Sequence, residues 1–275
     1  MHPIRPPAVS GTWYPGSAAA LASAVDAHLV RAAGAPRLAQ ITALIAPHAG
    51  LMYSGPVAAH AYHQLEGRDI ETVVLVGPSH FVGFAGVAIY RQGGFDTPLG
   101  VAPVDEALAA RLMEASAIVR EHPSAHEREH SLEMQLPFVR RLLPRASIVP
   151  LVMGWQTRET AAELGRALAL VSSGSRMLLV ASSDLSHYER AERAHALDME
   201  VVEAVEQFDP EQLQALLDAN DRHACGGGPM VAVMRAARAI GARDAVVLNY
   251  ADSGDVSGDK TSVVGYLAAA FGVRA

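Results

Sequence analysis

The sequence is poor in the features that mark secreted, membrane-bound and disulfide-stabilised proteins. It has one cysteine among 275 residues, so no disulfide can form within the chain. No apolar run approaches the roughly 18–20 residues that cross a bilayer. The N-terminal segment MHPIRPPAVSGTWYPGS lacks the apolar stretch of a secretory signal. These absences predict a cytoplasmic protein with no membrane-spanning segment.

The net charge and the composition along the chain further limit the expected partners and the number of domains. The formal net charge is −7, whereas a general nucleic-acid binder needs a basic face, so we expect no nucleic-acid partner. The chain has no internal repeat, low-complexity tract or long Ser/Gly/Pro-rich linker, and we therefore predict a single domain over residues 1–275. The sequence predicts no particular oligomeric state.

Alternating apolar and helical patterns predict an α/β fold. Seven apolar stretches closed by turn residues are typical of buried strands: 41–46, 72–76, 86–90, 146–152, 176–181, 245–250 and 262–268. Helical patterns occupy 18–33, 54–65, 105–115, 131–143, 157–171, 189–206, 210–219 and 228–240. Asp105 and Ser131 are predicted to begin two of these helices, and Gly241 to end the last. This alternation predicts a central parallel or mixed sheet with helices on both faces, which binds ligands beyond the carboxyl ends of its strands.

Histidine is abundant, with twelve residues, and three of the twelve follow predicted strands. His48 comes just after the first strand, His80 after the second, and Asp184 with His187 after the strand at 176–181. Carboxyl ends of parallel strands meet at one edge of a sheet, so we expect these side chains to converge. Imidazoles that arrive from different strands make a metal site, a general base, or both.

The single cysteine and a histidine–glutamate pair are further candidates for the same site. Cys225 lies in HACGGGP, just before a predicted helix, where it is either a nucleophile or a soft metal ligand. His130 and Glu133 lie three residues apart near a predicted helix start. They either orient a ligand or metal-bound water, or cap the helix beside a surface histidine.

Three other residues are expected near the pocket as substrate contacts. Tyr53 offers a phenolic hydrogen bond, Ser79 a small hydroxyl, and Asp252 follows a predicted strand. The segment ADSGDVSGDKTS that contains Asp252 is similar to a calcium-binding loop. It lacks the closing Glu of an EF-hand, so we interpret it as a polar turn.

Several motifs together resemble the Memo family, the B component of the AmmeMemoRadiSam set. They are TWYPG, APHAGLMYSG, VGPSH, EHSLEMQLPF, SSDLSHY, CGGGP and YADSGD, spread from residue 12 to residue 255. Each motif is weak alone, whereas their combination in this order is specific.

The resemblance implies a fold similar to the LigB-like class III extradiol dioxygenases. It implies that His48, His80 and Cys225 are metal ligands, with cysteine in the place of a carboxylate. It also implies that His187 is the acid/base or pocket histidine, and that Asp184 either orients His187 or accepts a hydrogen bond from a bound water. The implied metal is Fe(II), with copper or zinc as alternatives because thiolate is a soft ligand.

Three functions follow from these residues. The first is a mononuclear iron dioxygenase-like enzyme for a small bidentate oxygen-donor substrate. The second is a non-catalytic protein that binds a metal or a peptide in redox signalling or assembly. The third is a cysteine hydrolase or transferase, which the sequence favours least because no motif marks an oxyanion hole.

Overall fold

A computed structural model describes residues 4–34, 36–172 and 176–274 of the chain. The strands are β1 (Ile4–Arg5), β2 (Gln40–Ala46), β3 (Thr72–Pro78), β4 (Val87–Ile89), β5 (Gly94–Phe95), β6 (Ala102–Pro103), β7 (Val119–Glu121), β8 (Ser147–Met153), β9 (Met177–Ser182), β10 (His187–Glu189), β11 (Asp244–Asp252) and β12 (Val263–Val273). The α-helices are α1 (Ala18–Ala32), α2 (Leu51–His63), α3 (Glu106–Ala115), α4 (Leu136–Leu142), α5 (Arg158–Ser172), α6 (Ala191–Glu206), α7 (Pro210–Ala219), α8 (Gly227–Ala239) and α9 (Gly254–Ser257).

Nine of these strands form one mixed sheet. The order is β10-β12-β2-β9-β3-β8-β4-β7, and β11 pairs with the other side of β12. The neighbours β2, β9, β3 and β8 are mutually parallel, whereas β12 runs antiparallel to all of its partners and β4 runs antiparallel to β8 but parallel to β7. The remaining strands, β1, β5 and β6, form a small separate sheet. The four parallel strands therefore end at one shared edge.

Helices cover the sheet, as the sequence pattern predicts. All seven residues of β3 are buried, although successive side chains point to opposite faces, so both faces of this strand are covered. Helix α2 packs on β2, β11 and β12, while α8 packs on β2, β3 and β9 and carries α5 as a further layer. The predicted α/β fold with a mixed sheet is thus confirmed, and most of the buried apolar side chains belong to one core cluster.

Most predicted helix boundaries hold, and one is wrong. Asp105 caps α3 by accepting a hydrogen bond from the Leu108 N–H at 2.9 Å, and Gly241 follows α8 with φ +104°. Ser131 does not begin a helix: its hydroxyl donates to the Pro78 carbonyl at 3.1 Å. The chain makes a 3₁₀ turn at Glu133–Gln135 before α4 begins, so the helix starts later than the pattern at 131–143 indicates.

The last strand is longer than predicted, and no helix has the character of a membrane span. Strand β12 continues through an Ala/Gly-rich stretch to Val273, where partners on both sides override the weak strand preference of those residues. Within the described ranges, every helix is too short or too polar to cross a bilayer.

Candidate metal centre

Three neighbouring strands deliver side chains to one edge of the sheet. His48 lies two residues beyond β2, His80 two residues beyond β3, and Asp184 two residues beyond β9. The strands are parallel and adjacent in the order β2-β9-β3, so their carboxyl ends lie side by side. Cys225 reaches the same place from the loop that precedes α8.

One potential ligand atom each from His48, His80 and Cys225 meets the others within 4.8 Å. The Nε2 of His48 lies 3.3 Å from the Cys225 Sγ, and the His48 and His80 ring centroids are 5.3 Å apart. Two imidazoles and a thiol in this arrangement are a donor set suited to a transition metal. The structure therefore brings together the three residues that the family resemblance implies.

Hydrogen bonding fixes the tautomer of His48. Its Nδ1 lies 2.9 Å from the Ser182 Oγ, and that hydroxyl donates its proton to the Ser131 carbonyl at 2.7 Å. The hydroxyl must therefore accept from His48 Nδ1–H, which leaves a lone pair on Nε2 facing Cys225. Burial, followed by the electrostatic effect of the neighbouring His80, lowers the pKa of His48 to about 3, so the ring is neutral at pH 7.

A buried carboxylate orients His80 in the same way. Glu129 accepts from His80 Nδ1 at 2.8 Å and from the His80 backbone N–H at 2.7 Å, and it also accepts from the Ser131 N–H. Burial by itself raises the pKa of Glu129, but these hydrogen bonds prevail and lower it to about 2. An ionised carboxylate can only accept, so His80 is protonated on Nδ1 and its Nε2 is free for a ligand.

The Cys225 thiol is held by the backbone around Asp184. The Asp184 N–H points to the sulfur at 3.3 Å, and the Cys225 N–H donates to the Asp184 carbonyl at 3.2 Å. Burial, and then the nearby Asp184 carboxylate, raise the pKa of this thiol above its usual range. A metal cation next to the sulfur would oppose both effects and favour the thiolate.

A cavity of about 420 Å³ opens over these three groups. Its lining includes Asp184 and His187. His187 donates Nδ1–H to the Leu185 carbonyl at 2.8 Å, so the neutral tautomer of this ring carries its lone pair on Nε2. Asp184 accepts from the His48 N–H at 2.7 Å, and burial raises the pKa of its carboxyl. The cavity thus places two titratable side chains beside the three potential ligands.

His130 completes one wall of the cavity. Its ring stacks on His80 with 4.5 Å between centroids and contacts the Trp13 ring at 4.4 Å. Burial, with repulsion from His48 and His80, lowers the pKa of His130 to about 4. His130, His80 and Glu129 also form a second group of potential metal donors. His130 is thus a neutral pocket residue and not a surface histidine.

Three predicted substrate contacts lie elsewhere in the described structure. Tyr53 is half-buried on α2 and packs against the core. The Ser79 hydroxyl donates to the Val82 carbonyl at 2.7 Å, and Asp252 accepts from the Lys260 ammonium at 2.8 Å. None of the three is among the residues that line the 420 Å³ cavity. The Asp252–Lys260 pair also agrees with a polar turn in that segment.

Glu133, also predicted as a substrate contact, does not line the cavity either. Its fully buried carboxylate pairs with the Arg5 guanidinium at 2.7 Å, and it accepts from the Tyr14 hydroxyl and from the N–H groups of residues 8 and 9. Glu133 therefore anchors the N-terminal segment, and that segment carries Trp13 to the cavity wall. The 3₁₀ turn at Glu133–Gln135 directs this carboxylate away from the pocket.

Three pocket residues were not predicted from the sequence. Trp13 and Tyr188 line the cavity, and Glu129 orients His80. Each one lies inside or next to a motif that the sequence presents: TWYPG, SSDLSHY and EHSLE. Their position within or next to a motif could therefore have indicated these residues, although the motif does not specify which of its residues faces the site.

Comparisons with known proteins find similar sequences over nearly the whole chain. A family profile described as Memo-like protein matches residues 5–270. A MEMO1 family protein from Methanothermobacter thermautotrophicus is 38% identical over 274 residues, covering 96% of this chain and 98% of that protein. One from Methanosarcina mazei is 40% identical over 270 residues, with the same coverage of 96% and 98%.

A solved structure supports the same fold. The crystal structure of an uncharacterized protein from Escherichia coli K12 superposes with a TM-score of 0.57 at 17% identity. It covers 83% of this chain and 99% of its own. At that identity the likeness concerns the fold alone.

Proposed function

The chain belongs to the Memo family, and from this premise we propose that its pocket holds one metal ion through His48, His80 and Cys225. The observation that carries the proposal is the meeting of their donor atoms within 4.8 Å. Hydrogen bonds from His48 Nδ1 to Ser182 and from His80 Nδ1 to Glu129 support it, because they leave both Nε2 lone pairs available.

We propose iron(II) as the resident metal, with copper or zinc as the competing choices for a site that contains thiolate. Three protein ligands leave further coordination positions open. Bound Fe(II) would supply redox chemistry and a place where oxygen and a bidentate oxygen-donor substrate come together. The protein is then a non-haem iron dioxygenase-like enzyme.

The chain's own residues would handle protons and position the substrate. In its neutral form His187 would offer the Nε2 lone pair to a substrate hydroxyl, while the Leu185 carbonyl keeps its ring oriented. Asp184 holds the backbone of His48 and so couples the acid/base side of the pocket to a ligand. Trp13 and Tyr188 line the same cavity and would contact a flat substrate and exclude water.

A second candidate function is binding without catalysis. Phe81, next to His80, is 48% exposed and Tyr188 is 79% exposed. Exposed aromatic side chains at the mouth of a pocket are typical of surfaces that bind another molecule, including a peptide. A cysteine hydrolase is disfavoured, because the raised pKa of Cys225 keeps the metal-free thiol protonated at pH 7.

Metal analysis tests the ligand assignment. Protein purified without oxygen is expected to retain about one iron per chain, and His48→Ala, His80→Ala and Cys225→Ser are each expected to lose it while the circular dichroism spectrum is unchanged. His195→Ala, an exposed histidine on α6, is the matched control and should keep its metal. Unchanged metal content in both histidine variants would remove the proposed centre.

Oxygen consumption separates the enzyme from the binder. Iron-loaded protein is incubated with a panel of catechols, and His187→Gln serves as the variant that keeps the metal but lacks the acid/base group. Consumption that depends on substrate and falls in His187→Gln supports the enzyme. Full metal occupancy with no consumption across the panel supports the binding protein.

A further inference from the structure

A second cavity, of about 390 Å³, lies against the Cys225 loop and shares only that residue with the metal pocket. Trp155, Gln156 and Gln214 contribute to its wall, together with Asp218 and Asp221. The proposed function makes no use of this cavity.

The Gln156 amide braces the loop that contributes Cys225 to both cavities. Its Nε2 donates to the Cys225 carbonyl at 2.7 Å, and its Oε1 accepts from the Gly228 N–H at 2.8 Å. One side chain therefore bridges both ends of the Cys-Gly-Gly-Gly turn and holds it as a wall. A molecule in the second cavity would contact this wall from the side opposite to the metal ligand set.

A buried acceptor in this wall lacks a donor. Gln214 is 2% exposed, and its Nε2 donates to Asp218 Oδ1 at 2.7 Å, which fixes the orientation of the amide. Its Oε1 is buried and has no hydrogen-bond partner among the described residues. A buried carbonyl oxygen without a partner is costly, so a ligand that brings an N–H donor would be favoured here.

The charge and shape of the lining specify the ligand further. Asp218 and Asp221 are the charged residues of the lining, and no lysine, arginine or histidine of the described chain joins them. Asp218 also pairs with Arg158, whereas Asp221 has no ion-pair partner in the described ranges. Trp155 is 62% exposed and presents an indole ring to the opening.

We propose that this cavity is a second binding site, specific for a small organic cation with an apolar body, such as an alkylammonium or a guanidinium compound. The N–H donors would bind Gln214 and the two aspartates, while the cation packs on the Trp155 ring. The site is independent of the metal.

Trp155 itself reports on the proposed site. The chain has two tryptophans, so Trp13→Phe leaves Trp155 as the single indole fluorophore. This protein is titrated with benzylammonium and, separately, with benzyl alcohol, its neutral analogue. We expect a saturable fluorescence change with benzylammonium and at least about tenfold weaker binding of benzyl alcohol, because the charge-assisted hydrogen bonds are lost. Equal affinity for the two compounds would overturn the proposal.

Variants locate the binding. Asp221→Asn and Gln214→Leu are each expected to weaken benzylammonium binding about five- to tenfold. Asp26→Asn is the matched control, because Asp26 is as exposed as Asp218 and also pairs with an arginine. Affinities that do not change in Asp221→Asn and Gln214→Leu, or that fall equally in Asp26→Asn, would contradict a site in this cavity.

Chelator treatment separates this inference from the proposed metal site. Benzylammonium affinity is expected to be the same before and after the protein is stripped of metal, with metal content measured in each sample. Binding that disappears with the metal would assign the cation to the metal pocket and overturn the second site. Loss of metal in the His48 and His80 variants would leave this result unaffected.

Discussion

Acid should destabilise the metal-free protein through its buried histidines. Burial is the main cause that lowers the pKa of His48 and His126 to about 3 and that of His130 to about 4. Each ring titrates near 6.5 in the unfolded chain. Below that pH each of these histidines is protonated in the unfolded state but stays neutral in the folded state. The free energy of unfolding therefore falls as the pH falls.

The size of the effect follows from these values. Between pH 7 and pH 5 one such histidine lowers the free energy of unfolding by about 2 kcal/mol. Because the folded-state pKa values lie below 5, the unfolded-state pKa sets this figure. Three histidines together cost about 6 kcal/mol, which is comparable with the roughly 5–15 kcal/mol that stabilises a typical domain.

Substitution of His126 tests one third of this effect at a position outside the pocket. It is 1% exposed and lies against the rings of Tyr90 and Phe95, away from the metal ligands. In His126→Leu the loss of stability from pH 7 to pH 5 should be about 2 kcal/mol smaller than in the parent protein. Comparing variants also cancels the opposite contributions of Asp184 and Asp198, whose pKa values are raised by burial.

Urea denaturation measures the prediction. Free energies of unfolding are obtained by circular dichroism at pH 7, 6 and 5 in the presence of chelator, for the parent, His126→Leu and the exposed control His195→Ala. The free energy of unfolding of the control should change with pH in the same way as that of the parent protein. An equal pH dependence in His126→Leu and the parent would refute the reasoning that His126 stays neutral in the folded protein.

Other substitutions test the neighbouring contacts. Glu129→Gln should weaken metal binding about 10- to 100-fold while the protein stays folded, because His80 loses its carboxylate partner. Competition with a chromophoric chelator measures the metal affinity, and an unchanged affinity would contradict the prediction. Glu133→Ala leaves the buried Arg5 guanidinium unpaired and should lower the free energy of unfolding by about 3–5 kcal/mol in urea; a loss below about 1 kcal/mol would show that water replaces the carboxylate. Asp105→Ala removes the cap of α3 and should cost about 1 kcal/mol in the same assay, with no effect on metal content.

The sequence was sufficient to predict the sheet and the convergence of the strand-end histidines. Strands such as β3 are covered on both faces, so they appear as continuous apolar runs that are easily recognised. Their parallel order then requires that the residues after them meet at one edge. For this reason His48, His80 and Asp184 could be grouped from the sequence alone.

The partners of the acidic residues could not be predicted from the sequence. Glu129 and Glu133 lie in one motif, yet one orients a pocket histidine and the other binds Arg5, which is 128 residues away in the chain. The choice depends on a 3₁₀ turn and on where the N-terminal segment docks. Both are properties of the assembled tertiary structure, and neither leaves a periodic signal in the sequence.

The place of β12 in the sheet has a consequence for biosynthesis. This strand is made after all the other described strands, yet it lies between β11 on one side and β2 and β10 on the other. A nascent chain still attached to the ribosome therefore has β2 and β11 without their shared neighbour until Val263–Val273 emerges from the exit tunnel. His187 begins β10, so its backbone gains its pairing partner only then, and the side of the pocket that carries His187 is assembled last.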